Sequence, residues 1–93
     1  MAFYNVYRGT NFRSTYLVLR QNDHPEDVVP FNLLFLFGTL EISRKGIRHT
    51  HLPFAKGGQE KILQFVEEKG FCFYKWPGKI LGETLGDVLD PTA

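Results

Sequence analysis

Val29-Pro30-Phe31-Asn32-Leu33-Leu34-Phe35-Leu36-Phe37-Gly38 is the stretch whose reading decides the fold. Between a proline entry and a glycine exit it is almost wholly apolar, so periodicity alone does not separate a buried helix from a buried strand. Pro30 separates them. Proline suits the first turn of a helix, where the N–H it lacks would have no partner, whereas inside a strand it removes a ladder donor. Gly38 supplies a helix stop. The block predicts a helix over residues 28–37.

The same punctuation recurs downstream, from Gly58 to Lys69-Gly70. Ile62, Leu63, Phe65 and Val66 make an apolar stripe, while Glu60, Lys61, Gln64, Glu67 and Glu68 stay wet, which predicts a second helix over residues 59–69. Each glycine exit leads into a strand-like segment, residues 39–44 and residues 71–76, the latter stopped by Pro77-Gly78. Upstream, residues 3–8 and 15–20 read as a hairpin around a polar turn at residues 9–14. In the second of these strands Tyr16 and Val18 point one way, Leu17 and Leu19 the other. A strand apolar on both sides belongs in the middle of a sheet covered on each face.

The remaining segments complete the expectation. Residues 21–26 read as a polar loop, and Lys45-Gly46 as a turn sending the chain back through residues 47–52. Leu81, Leu85, Val88 and Leu89 keep a helical spacing that predicts a short docking helix in the tail. The sum is a single α/β domain of the α+β type, with four to five mostly antiparallel strands, two main helices and a short C-terminal helix. Its interior is expected to hold Leu17, Leu19, Leu33, Phe37, Ile62, Phe65, Val66, Phe71 and Phe73.

Ninety-three residues are enough for one small domain with a modest core. An aromatic share of 15% is high, and rings carry much apolar area per residue, so some are available for a contact surface. A net charge of +1 gives no long-range field that would drive nonspecific nucleic-acid or membrane adhesion. The single cysteine, Cys72, makes no internal disulfide, and residues 1–5 show no basic start followed by an apolar run. A cytoplasmic protein without a signal peptide or membrane span is expected.

Several of these landmarks follow one another in a recognisable order. Val6-Tyr7-Arg8, Thr15-Tyr16-Leu17, Val29-Pro30 with Leu33-Leu34 and Phe37-Gly38, Val66-Glu67 before Lys69-Gly70-Phe71, and Pro77-Gly78 together resemble the YcgL domain over roughly residues 4–78. The resemblance implies a small α/β/α sandwich around a mostly antiparallel sheet, in bacterial cytoplasmic proteins. It brings no catalytic residue, cofactor or established activity. This chain departs from the pattern after Phe37-Gly38, where the family usually has a more apolar strand, and at Val18, where a tyrosine is common.

Chemistry-bearing groupings are sparse. His49-Thr50-His51 in a strand would set both imidazoles on one face, as some zinc sites do, but His24, Glu41 and Cys72 are scattered as third ligands, so no metal or cofactor is expected. Cys72 sits within apolar Phe71-Cys72-Phe73-Tyr74 and is expected to be a buried, inert thiol. Gly57-Gly58 lacks the rest of a phosphate-loop pattern. The cations are more informative. Tyr7, Arg8, Arg13, Tyr16 and Arg20 come from the first hairpin, and Arg44, Lys45, Arg48, His49 and His51 from the expected second one. They make the candidate partner surface of a non-catalytic interaction module. A protein partner is the main expectation, RNA or another single-stranded nucleic acid the alternative. A small hydrolase or nuclease using His24, His49 or His51 is the reading from another class.

Overall fold

The first strand forms where the sequence is richest in aromatic and β-branched residues, and a two-residue turn at Thr10-Asn11 folds the second back onto it. In the computed structural model the described residues are 3–52, 58–76, 78–83 and 85. The strands are β1 (Tyr4–Gly9), β2 (Phe12–Arg20), β3 (Leu40–Ile47), β4 (Phe71–Lys75) and β5 (Lys79–Gly82). The helices are α1 (Pro25–Val28), α2 (Phe31–Phe37) and α3 (Gly58–Lys69). All pairings are antiparallel, in the order β3-β1-β2-β4-β5, so the chain is one α+β domain around a five-stranded sheet.

Strand β2 is central, as its two apolar faces require. Val18 joins Tyr4, Val6, Cys72 and Tyr74 in a cluster with Ile62 and Val66 of α3. Leu17 and Leu19 join Phe71, Phe73, Leu81 and Leu85 in a second cluster, with Phe37 of α2 and Val29. Each fully buried aliphatic or aromatic side chain contributes about 1.5–3 kcal/mol. Of the nine residues expected inside, Leu33 and Phe65 are only half-buried and pack at the rims of these clusters.

The decisive stretch is helical, beginning one residue after Pro30. The Leu33 and Leu34 N–H groups donate to the Pro30 carbonyl, and the Gly38 N–H donates to that of Leu34. Phe37 turns inward to meet Phe73 edge-on at 5.1 Å. Phe31 and Phe35 point away from the core and stay 78% and 72% exposed. Gly9 explains how closely the hairpin approaches this helix: a Cβ there would stand 2.3 Å from the Phe37 carbonyl oxygen.

Four expectations are corrected. Residues 25 and 26, expected in the loop, open α1, a single turn closed by the Val29 N–H on the Pro25 carbonyl, and the helix expected over residues 28–37 is broken at Val29-Pro30. The turn expected at residues 9–14 is shorter, and β2 already starts at Phe12. Lys45-Gly46 does not reverse the chain. Strand β3 runs through it along β1, with register shifts, and Gly46 (φ +64°) donates its N–H to Asn5 Oδ1 at 2.8 Å. Glycine accepts that left-handed backbone, so the bulge absorbs what the sequence reads as a turn. Last, Leu81 lies in β5, which forms a hairpin with β4, so the helical spacing fails at its start; Val88 and Leu89 lie outside the described residues.

Candidate functional site

Helix α3 covers one face of the sheet, and at the margin of its cluster exposed Trp76 and half-buried Tyr16 meet Arg44. Its start is tied to a 3-10 turn at His49–His51 by Gln59, whose side-chain amide donates to the Thr50 and Leu52 carbonyls at 3.0 and 2.7 Å. Its end is tied through Glu67, which accepts from the Tyr4 hydroxyl at 3.2 Å and the Arg20 guanidinium at 2.8 Å. Tyr4 and Arg20 are cross-strand partners at one end of β1 and β2. The helix is therefore pinned at that end, and its apolar cluster extends along the face to buried Tyr74, with Tyr16 and Ile80 packed against it.

Toward the other end of the same face, one row of cross-strand neighbours runs across all five strands: Glu41, Arg8, Tyr16, Tyr74 and Ile80. Directly opposed residues share a face, so their side chains interact. Arg8 reaches Glu41 at 3.6 Å, with both side chains more than half exposed, a pair that contributes little in water. Tyr16 stacks on buried Tyr74 with ring centroids 5.3 Å apart and 23° between planes. Two open depressions flank this row. One of about 270 Å³ is lined by Tyr16, Ser43, Arg44 and Trp76. The other, of about 410 Å³, is lined by Arg8, Gly9, Thr10, Arg13 and Glu41. The Trp76 backbone N–H donates to the Ser14 carbonyl at 2.8 Å, and the residue is 49% exposed.

The ten residues of the expected surface are thus divided. Arg8, Arg13, Tyr16 and Arg44 line the two depressions. Tyr7 is a correction: as the neighbour of Arg8 it points to the opposite face and packs against the cluster around Leu17 and Phe37. Arg20 is a second correction. It stands four residues beyond Tyr16 along β2, or about 13 Å, and its guanidinium is engaged by Glu67 and, at 3.9 Å, by Asp23. Lys45, Arg48, His49 and His51 continue from Arg44 toward the Tyr4 end, where Ile47 pairs with Tyr4, and line neither depression.

The histidines do not share a face. A 3-10 turn has about three residues per turn, which sends positions two apart to different sides. Among the described residues, no three of His, Cys, Asp and Glu come together as a metal site would need. His24 is exposed ahead of α1. Cys72 is fully buried, and burial pushes its thiol up to about 12, away from the thiolate that reacts. Burial, and next the nearby Tyr16, raise the Tyr74 phenol too. The sequence reading missed Trp76 as a surface residue. Strand parity carried the signal, because residues 72, 74 and 76 fall on the Tyr16 side.

Among the described residues, no helix is long and apolar enough to cross a membrane. In comparisons with known proteins, the chain matches no family model, no curated protein and no solved structure.

Proposed function

We propose that this chain is a non-catalytic binding module, an α/β/α sandwich of the YcgL-like type, acting in the cytoplasm. Its contact surface is the Arg8–Tyr16 end of the sheet face, at the margin of the α3 cluster. One observation carries this reading: Tyr16, Trp76, Arg8, Arg13 and Arg44 line two adjoining depressions on that end. An exposed ring, Trp76, and a half-buried one, Tyr16, beside guanidiniums are the composition of contact surfaces rather than of solvated ones. The positive balance of the patch favours an anionic partner, since Glu41 is the only acid lining it among the described residues. The landmark order from Val6 to Gly78 supports the family reading.

Charge-matched variants test the surface. Arg13→Ala/Arg44→Ala and Lys61→Ala/Lys69→Ala remove the same charge, the first pair from the Arg8–Tyr16 end and the second from exposed positions on α3. On an immobilised polyanion the first variant should elute at clearly lower salt than wild type, and the second close to wild type. Equal shifts would reduce the effect to net charge and remove the site.

A further inference from the structure

We infer that the ligand of this surface is a single-stranded nucleic acid, with Trp76 and Tyr16 stacking on bases while Arg13, Arg44 and Arg8 hold phosphates. The inference rests on the binding reading above and names its ligand class. The rings come first. Tyr16 is half-buried, backed on one face by buried Tyr74 at 5.3 Å and packed against the α3 cluster, so it is held in place with only part of its ring open to a ligand. Trp76 lines the same depression, half exposed and anchored to Ser14 through its backbone. Stacking asks only for a π face, which every base offers. In a duplex those faces are covered by neighbouring bases, so rings of this kind select single strands.

The cations lie where a backbone crossing those rings would run. Arg44 shares the depression with Tyr16 and Trp76, and the Arg8–Tyr16 cross-strand pair joins it to the depression holding Arg13. Arg8 pairs with the exposed Glu41 carboxylate 3.6 Å away, an attachment a phosphate can displace. The shape agrees. The hollow of about 270 Å³ lies below the roughly 300–1,000 Å³ range of enclosed small-molecule sites, and that of about 410 Å³ at its small end. Open and adjoining, they suit a chain that passes from one to the other. An acidic peptide would use the arginines and leave the rings idle, which makes the ligands separable.

Trp76 is the only tryptophan of the chain, so its fluorescence reports on this site alone. The full chain is titrated with oligouridylate, oligodeoxythymidylate, a duplex of the same length and polyglutamate, with labelled-oligonucleotide anisotropy as a second signal. Both single strands should quench Trp76, with affinity falling with salt at a log–log slope of about −2, as three phosphate contacts on a single strand give. Trp76→Ala, read by anisotropy, should weaken binding roughly tenfold or more. Arg13→Ala/Arg44→Ala should weaken it by about tenfold and flatten the slope. Glu41→Gln should tighten it. A preference for oligouridylate, or equal affinity for the two single strands, fits the proposal. Duplex bound as tightly as single strand, or single strands that bind without needing Trp76, would overturn it. If only polyglutamate binds, and does so through Arg13 and Arg44, the nucleic-acid assignment falls while the binding reading stands. If nothing binds, both fall.

Discussion

Gly9 and Cys72 show what single positions contribute. The hairpin meets α2 so closely at Gly9 that one added methyl collides with the Phe37 carbonyl and ring. Both are firmly held, the ring by Phe12 and Phe73. Gly9→Ala is therefore expected to cost at least the about 1–3 kcal/mol typical of overpacking, read as a lower urea midpoint with an unchanged slope. Cys72 gives a pH prediction. Its folded pKa lies above that of an unfolded thiol, as do those of the buried phenols Tyr4 and Tyr74. These groups stabilise the fold fully below the unfolded values of about 8.5 and 10. That stability is lost as pH rises, for Cys72 across the window up to about 12. Alkaline titration should show unfolding in this window, and Cys72→Val should move its onset to higher pH. At neutral pH a thiol reagent should react only after denaturant is added. The buried thiol was legible in Phe71-Cys72-Phe73-Tyr74. The closeness at Gly9 was not, because it depends on a residue 28 positions away in sequence.

At the scale of elements, α2 and α3 are each held by one face. Along α2, Phe37 is fully buried whereas Phe31 is 78% exposed. Phe37→Ala should cost about 3–5 kcal/mol and Phe31→Ala no more than about 0.5 kcal/mol, measured by thermal or chemical unfolding. Similar costs would mean that the helix is rotated from the orientation described here. Helix α3 ends on the Glu67 carboxylate, whose pKa is lowered by the Arg20 hydrogen bond and then by that of Tyr4. A depressed carboxylate stabilises above its unfolded pKa, and that contribution fades as pH falls through the folded value. Glu67→Gln should lower stability at neutral pH and leave a flatter acid limb. Helices α2 and α3 were readable because proline and glycine mark their ends regardless of context. Strand β3 was not. Lys45-Gly46 carries a turn signal, and the Asn5 amide that takes up Gly46 lies far away in sequence. Strand β5 was missed for a similar reason, since Lys79–Gly82 gains strand character from pairing with β4 rather than from its own composition.

Across the whole molecule, a central sheet separates two apolar clusters, one shared with α3 and the other with α1 and α2. The two-sided strand at residues 16–19 made that division readable in advance. The candidate surface was readable only in part. Arg8, Arg13, Tyr16 and Arg44 were named from their types, but which of ten polar and aromatic residues converge depends on where α3 stops, and no local pattern records that. The proposed function requires the Arg8–Tyr16 end of the sheet to be a binding surface. Backbone amide shifts of the labelled chain, mapped during titration with a polyanion, test it most directly. The expected result is a contiguous set of perturbed amides at Arg8, Arg13, Tyr16, Ser43, Arg44 and Trp76, with those of α3 unmoved. Perturbations centred instead on residues 45–51 or on α3 would contradict it.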